Sequence, residues 1–287
     1  TGTIGLIGGS MLDPFFPELA EGVQQAGRER DFTLFFASSN DDPDQQQRAL
    51  DSFIGRAVDG IIVFPVKANL EPIREIVRRG AKVVAVNLPT QDPTITSINS
   101  DIVGGAMLAV EHLQRGGRRR IGFLANRSPH SFQREVGYRQ ALRTAADTAH
   151  EPLIHEVAPT ADDAGAGVEA MLVRWPDLDA LFTYNDVMAM AAIHKLHNLG
   201  RSVPDDIAVV GFDNIGLSAL VNPPLTTIDL KQTRVGRTAV ELLDTMINNP
   251  DEPVRHVLQP VELVARDSSD PVRHPAPSRP SPTGVKP

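Results

Sequence analysis

Carboxylates, amides, one arginine and a pair of phenylalanines fall just beyond short apolar runs that read as strands. Asp13, Phe15 and Phe16 follow residues 4–7, Asn87 follows 83–86, and Arg134 comes after the run ending at Leu124. Asp162 lies beyond the run ending at Val157, Asn185 beyond Phe182, and Asp213 directly after Val210-Gly211-Phe212. In open α/β sheets, ligands bind outside the carboxyl ends of strands. Carboxylates and amides with fixed hydrogen-bond directions, an arginine fork and flat aromatic faces are the groups that hold a polyhydroxyl ring. Singly, each of these residues is at least as well explained as a helix N-cap or turn residue. Their joint placement is what points to a binding site.

Other chemistries find little support. The chain contains no G-x-x-x-x-G-K-[ST], G-x-S-x-G or H-E-x-x-H segment, the signatures of phosphate loops, nucleophile elbows and zincins. Gly5, Gly8 and Gly9 follow the first strand, but the next helix is expected only near Pro17, too late for a dinucleotide turn. His194 and His197 lie three apart on a helix without a carboxylate at ligand spacing, so they read as helix surface. Arg118, Arg119 and Arg120 read as a solvated turn. There is no cysteine, which removes disulfide and thiolate-metal chemistry. The formal net charge of -8 argues against a surface for nucleic acid or an anionic membrane. No apolar run approaches the ~20 residues of a membrane span, and no leader is visible at the start, so a soluble chain that is not exported is expected.

The elements that would position the site alternate. At 287 residues the chain suits one large or two medium domains. Residues 4–7, 32–36, 61–64 and 83–86 are short β-branched and aromatic runs, read as buried strands. Between them, Leu19, Val23 and Ala26, then Leu50, Phe53, Ile54, Ala57 and Val58, then Ile73, Ile76 and Val77 recur at helical spacing. The pattern restarts with strands expected at 121–124, 153–157, 180–182 and 207–210. A late helix carries Val235, Ala239, Leu242, Leu243 and Met246, and 257–264 reads as one last strand. Strand-helix alternation predicts an α/β fold with two doubly wound parallel-sheet lobes. From Asp267 the Pro/Ser-rich sequence predicts a flexible tail.

At this point a resemblance emerges. Tyr184-Asn185-Asp186-Val187-Met188-Ala189 and the stretch Leu199-Gly200-Arg201-Ser202-Val203-Pro204-Asp205-Asp206-Ile207-Ala208-Val209-Val210-Gly211-Phe212-Asp213 resemble the signature of the lactose/galactose-repressor (LacI/GalR) family of transcription regulators. So do Asp13-Pro14-Phe15-Phe16, Val58-Asp59-Gly60-Ile61-Ile62, Arg134-Glu135-Val136-Gly137-Tyr138, Pro223 to Ile228 and Glu262 to Ser268. The resemblance spans residues 3–268 and implies a periplasmic-binding-protein-like type I fold crossed three times between lobes. It implies an effector-sensing core, with the N-terminal helix-turn-helix headpiece of family members absent from this chain. Its crossings place the first lobe at 1–100 plus 231–259, the second at 101–230 plus 260–268, and the tail at 269–287.

Position by position, the resemblance makes Asp213 the effector carboxylate, Asn185 its neighbouring amide and Arg134 the effector arginine before a Gly-aromatic pair. Phe15 and Phe16 match first-loop contacts, and Asn87 a polar first-lobe contact that is often Asp. Asp162 (or, one residue on, Asp163) stands where several members have an aromatic platform, and Gln232 where an apolar contact is sometimes found. Both departures make the cleft more polar.

The expected function is non-enzymatic, without catalytic residues, cofactor or metal: binding of a small polar effector, a sugar or polyol, between lobes whose relative angle it selects. The resemblance also implies a cytoplasmic homodimer that meets operator DNA only through the absent headpiece, with candidate dimer surfaces on first-lobe helices including the one with Leu50 and Phe53. The alternative is a free periplasmic-type sugar-binding protein of an importer, which shares fold and cleft. Because the site residues face a cleft, their replacement is expected to spare folding.

Overall fold

A computed structural model describes residues 1–10, 13–88, 91–126, 129–144 and 151–270. The first half alternates β1 (Thr3–Gly8), α1 (Phe15–Arg28), β2 (Thr33–Ser38), α2 (Pro43–Gly55), β3 (Gly60–Val63), α3 (Glu71–Arg78), β4 (Val83–Val86) and β5 (Thr96–Ser100). It continues through α4 (Ile102–Arg115), β6 (Ile121–Asn126), α5 (Pro129–Thr144), β7 (Leu153–Val157), α6 (Ala161–Arg174), β8 (Ala180–Thr183), α7 (Asp186–Asn198) and β9 (Ala208–Val210). β10 (Thr227–Asp229), α8 (Gln232–Asn248), β11 (His256–Gln259) and β12 (Glu262–Val264) complete it.

Two parallel sheets result, with strand orders β11-β5-β4-β3-β1-β2 and β7-β6-β8-β9, and a small antiparallel pair β10-β12. Central strands such as β3 and β4 are buried along their whole length, as sheets covered on both faces require. Each sheet sits between two apolar clusters: Leu19, Val23 and Leu243 on one face of the first and Leu50, Phe53 and Ile73 on the other. Fully burying such side chains contributes roughly 1.5–3 kcal/mol each, which makes the two lobes rigid platforms. The chain passes between lobes after β5, before α8 and between β11 and β12, so three backbone crossovers join them.

Four expectations change. β5, Thr-Ser-Ile-Asn-Ser, is too polar to read as a buried strand, yet it lies inside the first sheet between β4 and β11. The single strand expected over 257–264 is two: Pro260 lacks the N–H to continue a ladder, and β11 pairs with β5 whereas β12 pairs with β10. Leu50 and Phe53, which the sequence could not assign to core or interface, belong to the core, and Phe53 fills the space beside Gly5, so any dimer contact of this helix would come from its other face. Ser268 and Ser269 are buried in the second lobe, where Ser268 Oγ donates to the Val209 carbonyl at 2.6 Å and accepts from the Thr226 amide at 2.8 Å. The proline-rich remainder of the expected tail, 271–287, lies outside the described residues.

Candidate functional site

The strand ends of both lobes meet around Arg134 and Asp213. Asp213 leaves β9 through Gly211 and Phe212 with φ at +108°, a conformation few side chains adopt. Bonds on both sides hold it: its amide donates to the Ile228 carbonyl (2.9 Å), and its own carbonyl accepts from Gln232 Nε2 (2.7 Å). Arg134, from α5, sends Nη2 to within 3.3 Å of Asp213 Oδ1. Its guanidinium lies 4.3 Å from the Tyr184 ring centroid and 4.2 Å from that of Phe212. Contacts of this kind, desolvated, stabilise a cation by up to ~2 kcal/mol each.

Both partners are nearly enclosed, Arg134 at 5% and Asp213 at 6% exposure. Burial, reinforced by the like charges of Asp186 and Asp13, pushes the Asp213 carboxyl well above its ordinary range; Arg134 opposes the rise. This pair is buried as deeply as the core, so replacing either member is expected to lower stability.

Asp13 stands at the opening of α1, with Oδ1 accepting from the Phe15 amide at 3.1 Å. The residue is exposed, but partial burial of the carboxyl raises its pKa, Asp41 adds to the rise, and Arg134 in the second lobe counteracts it. Phe15 packs against the cores of both lobes and meets Phe64 edge-on at 6.1 Å. Asp13, Phe15, Arg134, Asp213 and Gln232 are thus gathered at one inter-lobe junction.

The other expected residues are placed differently. Phe16 is 2% exposed in the first-lobe core, against Phe36 and Phe64 and over Gly8, where a Cβ would come within 1.9 Å of its ring. That contact explains Gly8, the last residue of β1, by packing rather than by a phosphate. Asn87, at φ +54°, joins the ends of β4 and β5: its amide donates to the Ile98 carbonyl and its Oδ1 accepts from the Ser100 amide at 3.3 Å. Asn185 caps α7, its Oδ1 accepting from the Met188 amide at 2.9 Å; the amide nitrogen is the part that can serve a ligand. Asp162 is exposed in the first turn of α6, and Asp163 is taken up by a reciprocal cap with Thr160. Gln232 is buried, and its donor goes to the Asp213 carbonyl, a bond from α8 to the second-lobe strand end.

Sequence reading missed Asp186. This fully buried carboxylate accepts from Thr227 Oγ1 (2.5 Å) and the Ile215 amide (2.9 Å), and burial pushes its pKa up to about 7. Its only local signal is an acidic residue in a helix first turn, which ordinarily means a macrodipole contact. Tyr184 and Phe212, which sandwich Arg134, were also not singled out; aromatic residues at strand ends near a candidate arginine are the usable signal.

A two-lobed α/β fold with convergent polar groups at its strand ends defines the class of periplasmic-binding-protein-like ligand sensors. Residues 110–269 match the family model described as periplasmic binding protein-like domain. The chain is 33% identical over 271 residues to the HTH-type transcriptional repressor PurR of Aliivibrio salmonicida, covering 93% of this chain and 81% of that protein. It is 30% identical to the HTH-type transcriptional regulator CelR of Thermobifida fusca over 89% of this chain and 76% of the relative. A solved structure of a transcriptional regulator CelR–cellobiose complex superposes with a TM-score of 0.84 at 27% identity, covering 93% of this chain and 84% of that one. The chain belongs to the LacI/GalR family and forms its effector-binding core. Among the described residues no helix is long and apolar enough to cross a membrane.

Proposed function

We propose that this chain is the effector-sensing unit of a cytoplasmic LacI-type regulator. It takes a sugar or polyol between its lobes and couples their angle to DNA binding by a helix-turn-helix unit outside the present sequence. The lobes divide at 1–100 plus 231–259 and 101–230 plus 260–268. The observation that carries this reading is the Arg134–Asp213 pair, held between two aromatic faces and electrostatically linked to Asp13 of the opposite lobe. A hydroxylated ring that engages Arg134, Asp213 and Asn185 from one side and Asp13 and Phe15 from the other touches both lobes at once. Such a ligand has different affinities for different lobe angles, as a sensor requires. The cellobiose complex of the structural neighbour supports a sugar as ligand class. Asp162 extends the acidic rim from α6, and Asn87 and Phe16 support the first-lobe wall from behind.

Isothermal titration against a panel of mono- and disaccharides and polyols tests the proposal. One member is expected to bind saturably, at least tenfold more weakly to Asp213→Asn, with the fold confirmed by circular dichroism. Equal affinity in wild type and Asp213→Asn overturns the cleft assignment, and an entirely silent panel overturns the ligand class.

A further inference from the structure

One residue separates the lobes where the chain crosses before α8. Leu230 is buried in the second-lobe core, and Gln232 opens α8, whose Val235 and Ala239 belong to the first-lobe core. α8 is packed backbone to backbone on α1: a Cβ on Gly22 would come within 2.1 Å of the Thr233 carbonyl oxygen, and one on Gly236 within 2.4 Å of that of Leu19. Gln232 therefore moves with the first lobe. Lys231, between Leu230 and Gln232, has φ +56° and ψ +46°, a left-handed state that residues with a Cβ rarely adopt.

Local bonds hold Lys231 in that state. Its amide donates to Asp229 Oδ1 at 2.7 Å, and its Nζ lies 2.8 Å from Asp229 Oδ2 and 2.7 Å from Glu262 Oε2. Asp229 and Glu262 stand opposite each other in the β10–β12 pair, where like charges repel and the ammonium relieves them. Glu262 begins β12, just past the third crossover, so one lysine ties two crossovers together.

Asp213 is held from both sides of this joint. Its amide donates to the Ile228 carbonyl inside the second lobe, whereas its own carbonyl accepts from Gln232 Nε2 of the first. Bridges of Val210 to Thr226 and of Asp213 to Asp229 fix the strand end to the second lobe. A rotation about Lys231 carries Gln232 away from Ile228, so the bond that yields is the one from Gln232. Hydrogen bonds weaken steeply with misalignment, and this one forms only over a narrow range of lobe angles.

We propose that Lys231 is the turning residue of the joint between the lobes, and that Gln232 is a positioning residue that transmits the angle set there to the strand end carrying Asp213. Its side-chain donor goes to that backbone carbonyl, which makes its part in sensing indirect. That a ligand feels the change rests on the reading of the cleft given above; the joint itself does not.

The test measures the lobes without a ligand. The chain has no cysteine, so spin labels on Ser52→Cys in α2 and Ala170→Cys in α6, both exposed and on opposite lobes, report one inter-lobe distance by electron double resonance, with unlabelled chain added to isolate distances within one molecule. Gln232→Leu, which removes the donor, and Lys231→Pro, which forbids positive φ and removes the amide hydrogen, are expected to add a second, longer distance. Lys231→Asn, which tolerates positive φ, should keep the original one. In amide NMR the Gln232 side-chain signal, assigned by its loss in Gln232→Leu, should exchange slowly with solvent in the parent and rapidly in Lys231→Pro. Circular dichroism confirms folding; if one variant fails to fold the other carries the test, and Gln232→Asn, one methylene shorter, replaces both if neither folds. An unchanged distance in the folded Gln232 and proline variants overturns the proposal. So does a Gln232 signal that stays protected in Lys231→Pro, or a longer distance in Lys231→Asn equal to that of the proline variant. A cleft that binds no sugar leaves all these readings intact.

Discussion

Asp186 Oδ1 lies 2.2 Å from the point where a side chain on Gly211 would begin. The carboxylate cannot retreat, because Thr227 Oγ1 and the Ile215 amide both donate to it and Leu225 crowds the same space at 2.9 Å. The glycine two residues before Asp213 is therefore required by this close approach. Gly211→Ala is expected to lower stability by about 1–3 kcal/mol, the usual cost of overpacking. Urea denaturation followed by circular dichroism measures it; an unchanged midpoint contradicts this packing.

The raised pKa of Asp186 sets a pH dependence. In the unfolded chain the group loses its proton near 3.8, whereas in the fold it holds the proton to about 7. Between these values the folded state binds more protons, so stability falls as pH rises, by at most ~1.4 kcal/mol per unit for this group, and levels off above about pH 7. Asp213 shifts the same way. Urea midpoints at pH 5, 6, 7 and 8 should decline in wild type and decline less steeply in Asp186→Asn, which keeps an acceptor for Ile215.

Arg134→Leu leaves the buried Asp213 carboxylate without its cation. Removing one member of a buried pair costs about 3–5 kcal/mol, and here the aromatic contacts of the guanidinium are lost as well. Asp213→Asn, whose side chain tolerates positive φ, should recover part of that loss. A double-mutant cycle by chemical denaturation checks it: additive effects would mean that the two residues do not interact.

Arg266 ties the second-lobe loop together. Its Nη1 donates to Ser218 Oγ (3.0 Å) and the Leu225 carbonyl (2.6 Å), and its Nη2 to Asn214 Oδ1 (2.7 Å). Hydrogen bonds from a charged group contribute roughly 1.5–3 kcal/mol. Arg266→Ala should accelerate amide exchange across residues 214–225 while leaving β1 and β3 protected. Uniform exchange behaviour in both proteins would contradict the role.

Self-association is the last expectation. Leu217 and Leu220 are 56% and 80% exposed beside the Asp213 loop, and Phe35 and Phe36 are exposed on edge strand β2. Either pair is a place where a second copy could bury apolar surface. Light scattering at micromolar concentration should give twice the 31.1 kDa chain mass; a strict monomer would favour an importer-type binding protein.

Much of this architecture is legible from periodicity alone. β4 (Val83–Val86) stands at the residues where an apolar run places it, because a strand covered on both faces must be apolar throughout. β5 is invisible to the same reasoning, since its serines, threonine and asparagine enter the sheet only when β4 and β11 pair with them. The order and spacing of the motifs likewise carry the resemblance to the family.

Burial is what the local sequence could not decide. Asp162 and Asp186 are both acids in the first turn of a helix that follows a strand, and nothing in their neighbourhoods separates them. One remains exposed on α6, whereas the other is sealed by Thr227, Ile215 and Gly211 from segments that meet only after β9 and β10 converge. Desolvation depends on what the rest of the chain brings to a carboxylate. Composition and spacing can therefore put charges at strand ends, but only the folded lobes determine which of them are withdrawn from water.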